Sequence, residues 1–247
     1  MFILKYTLAK NFSKFFGFLF KNNFYRILMY HSIDDEVPHD SLKLYHTSKK
    51  NFVLQMNYLK NKKINNDFDA NLIGDSCLSI SFDDGYASIL TNASNILFDL
   101  NIPFVLFITP SFINSGNSLY LNQHQLKELA SNDLCTVGAH SYSHLDLTKC
   151  DAVKLKSELQ KSKFWLENLI GKEVNLMSYP FGKYDVSVIN QAKKIGYKYG
   201  FTSNFGSNKA NTNLLSLNRT DIWSYDDIDN FILKVNGYWD WIKYINE

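Results

Sequence analysis

Residues 78–85 have the sequence LSISFDDG, in which five residues typical of a buried strand lead directly into Asp83 and Asp84. Apolar, β-branched or aromatic runs of this kind recur along the chain, and helical patterns separate them. They span residues 27–30, 78–82, 104–108, 136–139, 176–179, 199–202 and 214–217. Strands that alternate with helices predict an α/β fold with a parallel sheet that is buried on both faces. Seven short strands favour an incomplete (β/α) barrel over an open doubly wound sheet.

Composition limits the classes of function. The chain has 247 residues, of which 45% are hydrophobic and 20% are charged, which suits one domain with a large core. The net charge of +2 is too balanced for a general nucleic-acid binder, so we expect no nucleic-acid partner. Three cysteines, an odd number without a C-x-x-C pair, predict free thiols in a reducing compartment.

The first 24 residues are basic and rich in aromatic residues. Residues 1–33 contain four lysines and one arginine but no acidic residue. The longest apolar run, residues 15–20, is far shorter than the roughly 20 residues of a membrane-spanning helix. We also find neither the long apolar stretch nor the cleavage site of a secretory signal. We therefore predict a helix over residues 1–24 that either lies on an anionic membrane surface or packs on the domain beginning at residue 25. The expected location is cytoplasmic and, in the first case, peripheral at the inner membrane face.

Side chains with catalytic chemistry follow several of the predicted strands. They are His31 after the first strand, Asp83 and Asp84 after the second, His140 after the fourth, Tyr179 and Pro180 at the end of the fifth, and Arg219 just beyond the seventh. Because the carboxyl ends of barrel strands meet at one mouth, we expect these side chains to lie close together.

The segment HSYSH places His140 and His144 four residues apart directly after a strand, a spacing that can hold one metal ion. A carboxylate from Asp83 or Asp84 would complete a set of two histidines and one carboxylate, which leaves positions open for water and substrate. The structural alternative is that one aspartate caps a helix that begins near Tyr86.

These residues resemble the polysaccharide deacetylases (carbohydrate esterase family four). Residues 81–85, SFDDG, are similar to the family motif T-F-D-D-G, and residues 140–144 match its H-[ST]-x-x-H. The motif R-x-P-[YF]-G is matched at residues 180–182, but Ser178 stands in the place of the arginine. The resemblance covers residues 25–220 or so and implies a deformed (β/α)7 barrel with parallel strands. Residues 25–247 would then form a polysaccharide deacetylase-like catalytic domain.

Two departures from the family pattern concern catalytic residues. No histidine follows His144, although the family places one near the carboxyl terminus. Residues 30–33, YHSI, instead resemble the Y-H-x-[IV] of a permuted subgroup that includes the poly-N-acetylglucosamine deacetylases, in which the early histidine replaces the late one. Arg219 is the candidate for the missing arginine, and the alternative is a surface ion pair with Asp221 or Asp227.

The resemblance implies a role for each polar residue. Asp84, His140 and His144 would bind a divalent metal, with Zn²⁺ as the first candidate, which would polarise an acetyl carbonyl and activate water. Asp83 would be the general base, and His31 would be the general acid that protonates the leaving amine.

The remaining residues would face the substrate. The backbone N–H of Phe181 would bind the oxyanion, and Tyr179, Pro180 and Arg219 would complete this region. The expected reaction removes the N-acetyl group from an amino sugar in a cell-envelope glycan or a lipid-linked precursor. The alternatives are an O-acetyl esterase acting on a glycan and an inactive glycan-binding or scaffold protein.

Overall fold

A closed barrel of parallel strands is the centre of the fold. The computed structural model describes residues 2–22, 24–38, 40–66, 68 and 76–244. Its strands are β1 (Arg26–Tyr30), β2 (Ser32–Ile33), β3 (His46–Thr47), β4 (Leu78–Phe82), β5 (Phe104–Ile108), β6 (Cys135–Ala139), β7 (Leu176–Ser178), β8 (Tyr199–Phe205) and β9 (Leu217–Asp221). Strands β1 and β4 to β9 follow one another around the ring, and β9 pairs with β1, while β2 and β3 form a separate small sheet. The predicted (β/α)7 barrel is confirmed.

Helices follow most of the strands and cover the outside of the barrel. They are α1 (Phe2–Phe16), α2 (Lys49–Leu59), α3 (Ser94–Asp99), α4 (Pro110–Ile113), α5 (Gln123–Ala130), α6 (Ala152–Ile170), α7 (Val186–Ile195) and α8 (Ile228–Val235). The side chains of Asp151, Asp185 and Asp227 accept hydrogen bonds at the amino ends of α6, α7 and α8. Gly171 and Gly196 end α6 and α7 with positive φ angles of 69° and 102°, which glycine adopts without steric cost.

The barrel strands are buried on both faces. In β5, Phe104, Leu106 and Ile108 join the large core between the strands and the helices. Val105 and Phe107 alternate with them and belong to a smaller cluster that unites residues from several strands inside the ring. Hydrophobic packing thus fills one part of the barrel interior, and the polar side chains described below occupy its mouth.

Two expectations from the sequence are wrong. Of residues 214–217, only Leu217 belongs to the seventh barrel strand, because the Asn213 side chain accepts a hydrogen bond from the Leu215 N–H and forms a turn before it. Strand β9 begins at Leu217 instead, so Arg219 lies within the strand and not beyond it. The apolar pattern misses β9 because this strand, LNRTD, is mostly polar: Arg219 pairs with Asp83, and Thr220 accepts a hydrogen bond from Arg26.

The helix expected near Tyr86 also begins later than predicted. Tyr86 forms a β-bridge with Tyr120, and a π-helical turn over Ile89–Ala93 precedes α3. No side chain caps the amino end of this turn, whose preceding residue is Ser88. The alternative interpretation of Asp83 or Asp84 as a helix cap is therefore wrong.

The amino-terminal helix α1 packs on the barrel through one of its faces. The Tyr6 hydroxyl donates to Asp226, and Lys10 forms an ion pair with Asp227. Within the described part of the chain, no helix combines the length and the hydrophobicity required to cross a bilayer. All three cysteines are free thiols. The division of the chain at residue 25 stays a prediction.

Candidate active site

The mouth of the barrel contains a cavity of about 500 Å³. Seven of the predicted site residues line it: His31, Asp83, Asp84, His140, His144, Tyr179 and Phe181. The other two are buried, with Arg219 directly behind Asp83 and Pro180 in the short helical turn Pro180–Gly182. Five strands therefore bring these residues together. Each of β1, β4, β6, β7 and β9 either contains a site residue or ends just before one.

Asp83 and Arg219 form a buried, bidentate ion pair. The distances from Nη1 to Oδ1 and from Nη2 to Oδ2 are 2.7 and 2.8 Å. Burial raises the pKa of Asp83, but the Arg219 charge, assisted by His140, outweighs burial and holds this pKa well below its usual range. Asp83 is therefore ionised at neutral pH, and both of its oxygens are held in place.

Two further residues bind the Arg219 guanidinium group. Ser178, at the motif position of the missing arginine, accepts a hydrogen bond from Arg219 Nη2 at 2.8 Å and donates to Asp83 Oδ2 at 3.2 Å. Arg219 Nε donates to the Thr202 carbonyl at 2.8 Å. The alternative of a surface ion pair for Arg219 is wrong, because this side chain is 1% exposed and Asp227 pairs with Lys10.

Asp84, His140 and His144 direct three ligand atoms at one point. Asp84 Oδ1 lies 3.5 Å from His140 Nε2 and 3.3 Å from His144 Nε2, and the ligand atoms of the three residues are all within 4.8 Å of one another. Ligands about 2.0–2.1 Å from a shared tetrahedral ion are separated by about 3.3 Å. The spacing therefore suits a metal ion.

Hydrogen bonds around these three residues also fit a metal. Asp84 Oδ1 is buried and has no hydrogen-bond partner among the described residues, which is costly for a carboxylate that binds nothing. His140 Nδ1 lies 2.8 Å from the Ser178 carbonyl, and because a carbonyl only accepts, Nδ1 carries the proton. The lone pair of Nε2 then faces Asp84, as in metal sites where the second ring nitrogen is fixed by a carbonyl.

Unusual backbone conformations concentrate around the cavity. Among the described residues, seven non-glycine residues have positive φ angles, and four of them, Asp84, Ser141, His144 and Phe181, lie at the site. Such conformations persist only where surrounding contacts enforce them, and they are common at functional sites. Gly85 follows Asp84 with a φ of 81°, and a Cβ there would lie 2.8 Å from the Ile108 side chain.

Two residues of α6 support the loop that carries the histidines. The Glu158 carboxylate accepts hydrogen bonds from the Tyr142 and Ser143 N–H groups, at 3.1 and 2.8 Å. The Ser162 hydroxyl donates to the Ser141 carbonyl at 3.1 Å. Glu158 is 2% exposed, so a buried carboxylate holds the backbone of residues 140–144 in place. Glu158 was not among the residues predicted from the sequence, and the signal for it was an acidic residue at a position where the helical pattern places core residues.

His31 lies at the cavity wall with its ring 4.6 Å from the ring of Tyr45, centroid to centroid. Burial lowers the pKa of His31 to about 4, although the negative charge of Asp83 acts in the opposite direction. The unliganded imidazole is therefore neutral at pH 7.

Aromatic side chains form another part of the cavity wall. The Tyr86 and Tyr120 rings are stacked, and Tyr120 stacks in turn on Phe112, at centroid distances of 5.2 and 4.5 Å. Phe181 is 61% exposed and packs its edge against the His144 ring at 4.7 Å. Tyr179 differs, because its ring is buried and its hydroxyl donates to the Leu215 carbonyl at 2.7 Å.

The chain resembles known proteins in both sequence and structure. A polysaccharide deacetylase family model matches residues 73–200, just over half of the chain. The Bacillus subtilis protein YxkH, whose name assigns it to the polysaccharide deacetylases, is 27% identical over 205 residues, which are 79% of this chain and 70% of that protein. The poly-beta-1,6-N-acetyl-D-glucosamine N-deacetylase of Staphylococcus aureus is 28% identical over 170 residues, which are 64% of this chain.

This match spans only 58% of the staphylococcal protein. Among solved structures, the Streptococcus pyogenes deacetylase PplD in complex with acetate superposes with a TM-score of 0.77 at 23% identity, over 86% of this chain and 98% of that one, which supports the fold. With a family model that matches more than half of its residues and a barrel of the same architecture, this chain belongs to the polysaccharide deacetylase family.

Proposed function

We propose that the protein is a metal-dependent hydrolase that removes the N-acetyl group from an N-acetylated amino sugar and releases acetate. Family membership supports carbohydrate deacetylation in general. One observation carries the specific proposal. Asp83, which Arg219 keeps ionised, directly precedes Asp84 in the chain, and Asp84 Oδ1 lies beside the imidazoles of His140 and His144. An inactive scaffold has no need of this costly arrangement.

Asp84, His140 and His144 would hold the metal, and Zn²⁺ is the first candidate because two imidazoles and a carboxylate suit it. When bound, a divalent ion polarises the acetyl carbonyl and lowers the pKa of water from about 15.7 toward about 7. The partner that this chemistry requires is the N-acetyl group of a sugar, seated in the cavity with its carbonyl toward these three residues.

Asp83 would accept the proton of the attacking water. Arg219 binds both carboxylate oxygens, so the base is oriented before the substrate arrives, and it stays ionised throughout the working pH range. His31 would deliver a proton to the departing amine. Because the unliganded imidazole is neutral, the proton that it delivers would be the one released by the attacking water, passed on after Asp83 has accepted it. The Phe181 N–H would bind the oxyanion.

The substrate class follows from the cavity and from the relatives. Aromatic walls suit the apolar face of a pyranose ring and the acetyl methyl group. The name of the staphylococcal relative gives poly-N-acetylglucosamine as its substrate. We propose a cell-envelope glycan or its lipid-linked precursor, and we keep the predicted location, cytoplasmic and peripheral at the inner membrane face, as part of this proposal.

Acetate release tests the proposal. Free, polymeric and lipid-linked N-acetylhexosamines are incubated with the protein, with Zn²⁺ and with a chelator, and matched O-acetylated sugars form a parallel series. We expect release from an N-acetyl substrate that the chelator abolishes. Asp83→Asn and His31→Ala should each lower it by at least about 100-fold, the contribution typical of a general base or acid.

Two exposed residues outside the cavity provide matched controls, Asp99→Asn and His124→Ala, which should leave acetate release unchanged. Release from O-acetyl sugars alone would replace the proposal with a glycan esterase. Absence of release together with absence of metal binding would favour the scaffold interpretation.

A further inference from the structure

The outer surface of α1 is strongly apolar although it faces solvent. Leu4, Leu8 and Phe15 recur on one side of the helix at about 100° per residue and are 66, 61 and 64% exposed. Further large apolar side chains extend this surface, namely Phe12 and Phe16 on α1 and Phe18 and Leu19 in the 3₁₀ turn Gly17–Leu19 that follows it. We call these seven residues the outer face. Seven large apolar side chains exposed on one short segment are more than a monomer surface needs, and such a concentration is typical of an interaction site.

The opposite side of α1 is fastened to the barrel by specific contacts. Tyr6, Lys10, Ser13 and Gly17 follow one another at helical spacing along this inner side. The Tyr6 hydroxyl donates to Asp226, Lys10 pairs with Asp227, and Trp241 Nε1 donates to the Ser13 hydroxyl at 2.8 Å.

At Gly17, a Cβ would lie 2.3 Å from the Tyr238 carbonyl oxygen, so only glycine allows this close approach. The inner side is therefore fixed against the barrel along its whole length, and the apolar outer face is held in solvent.

Positive charge surrounds the outer face. Lys5 and Lys14 are exposed, and at about 100° per residue they lie on either side of the stripe formed by Leu4, Leu8 and Phe15. Lys21 is exposed beyond the end of the helix, and residues 1–33 contain no acidic residue. Long basic side chains that flank an apolar stripe place their ammonium groups at the level of lipid headgroups.

We propose that the outer face of α1 binds the surface of an anionic membrane. The apolar side chains would enter the boundary between headgroups and acyl chains, and Lys5, Lys14 and Lys21 would contact the phosphates. Charge favours this occupant over a second copy of the chain, because two outer faces brought together would oppose lysines to lysines, and residues 1–33 contain no acidic residue to compensate them.

The contacts of α1 also determine how the barrel meets the membrane. Tyr6, near the start of the helix, donates to the Tyr225 carbonyl just after β9, at the mouth. At the other end, Asn22 donates to Asp240, which pairs with Arg26 at the start of β1, on the base. The helix thus runs along the barrel wall from mouth to base, and a membrane that binds it lies alongside the barrel.

The mouth would then open next to the headgroups. The Ser224 N–H donates to the Leu44 carbonyl at 2.8 Å, which connects the Tyr225 region to the segment whose residues Pro38, Asp40 and Tyr45 line the cavity. This arrangement deepens the proposed function, since it gives a lipid-linked sugar a short path into the cavity. Binding of the outer face to vesicles does not itself depend on deacetylase activity.

Vesicle cosedimentation tests the proposal with the full chain. Vesicles of phosphatidylcholine and phosphatidylglycerol in equal parts should bind the protein, and vesicles of phosphatidylcholine alone should bind it more weakly. Phe15→Glu should weaken binding at least about tenfold, because it replaces a buried phenyl group by a charge in the lipid. Lys5→Gln with Lys14→Gln should reduce the preference for phosphatidylglycerol.

Phe164→Glu is the matched control, because Phe164 lies on α6 and is 67% exposed, much like Phe15. It should bind vesicles as the unaltered protein does. Equal loss in Phe15→Glu and Phe164→Glu, no binding to either kind of vesicle, or a dimer that Phe15→Glu dissociates would overturn the proposal. Circular dichroism and the thermal midpoint confirm that each variant is folded. Vesicle binding without any acetate release would refute the proposed function and leave the membrane face standing.

Discussion

Arg219 and Asp83 are both almost completely buried, and each is tolerated only because of the other. Burial of an unpaired charge costs several kcal/mol, whereas a pair with two short hydrogen bonds offsets much of this cost. The same contact orients the proposed base. Stability and the proposed catalysis therefore depend on one ion pair, which makes it suitable for a quantitative test.

We predict that Arg219→Gln lowers the free energy of unfolding by about 3–5 kcal/mol, the typical cost of breaking a buried ion pair. Acetate release should fall by at least about 100-fold, because Asp83 is no longer held in position. Urea unfolding and the acetate assay measure the two effects.

Arg26→Gln is the matched control, since Arg26 is equally buried and pairs with Asp240 at 2.8 Å on the base of the barrel. It should lose similar stability but keep its activity at temperatures where it is folded. Full activity in Arg219→Gln would refute the positioning role of Arg219.

His31 should make the metal-free protein less stable in acid. Its pKa is lowered from 6.5 to about 4 in the folded state, so between these pH values the unfolded chain binds the proton and the folded chain does not. The free energy of unfolding should therefore fall as the pH drops from 7 to 4, by about 1.4 kcal/mol for each unit of pKa difference. In His31→Gln the pH dependence should be flatter, whereas exposed His124→Gln should retain it. Urea titrations at several pH values measure the free energy of unfolding. If it depends on pH with the same slope in both variants, the prediction is contradicted.

Helix α6 supports the loop that carries the proposed metal ligands His140 and His144. Residues 140–144 include Ser141 and His144 with positive φ angles, and Glu158 and Ser162 bind the backbone of this loop. A loop held in strained conformations depends on such contacts to present its side chains.

We predict that Glu158→Ala weakens Zn²⁺ binding by about 10–100-fold, the usual effect of losing an outer support of metal ligands. Isothermal titration calorimetry measures the affinity. Glu167→Ala is the control on the same helix, because Glu167 pairs with Lys163 and accepts from the Val174 N–H, away from the loop. Unchanged affinity in Glu158→Ala, or equal losses in both variants, would show that α6 does not support the site in this way.

At the scale of the whole molecule, the three proposed metal ligands belong to separate parts of the barrel, since Asp84 follows β4 whereas His140 and His144 follow β6. An ion bound between them stabilises the folded state only. Zn²⁺ at 100 times its Kd should therefore add about 2.7 kcal/mol to the free energy of unfolding and raise the thermal midpoint. Excess chelator should reverse the shift, and His144→Gln should abolish it, while His124→Gln should not. A midpoint that does not respond to Zn²⁺, Co²⁺ or Ni²⁺ would argue against the site.

Much of this protein could be read from short stretches of its sequence. Buried strands with nearly continuous apolar residues, helices ended by Gly171 and Gly196, and the carboxylates and imidazoles at strand ends all leave local patterns. These patterns predicted the barrel, and they selected side chains that the structure places around one cavity. Local signals suffice here because strand periodicity and strand-end positions are properties of neighbouring residues.

Only the tertiary structure decided what depends on distant residues. Strand β9 was misplaced by the apolar pattern because most of its side chains are polar and find their partners on distant segments. Glu158 was missed because its partners lie on another segment. The pairing of Arg219 with Asp83 joins residues 136 positions apart. Helix α1 both packs on the barrel and exposes an apolar face, which the sequence had left as alternatives. Burial and charge compensation are set by the folded surroundings, and no single stretch of the chain contains them.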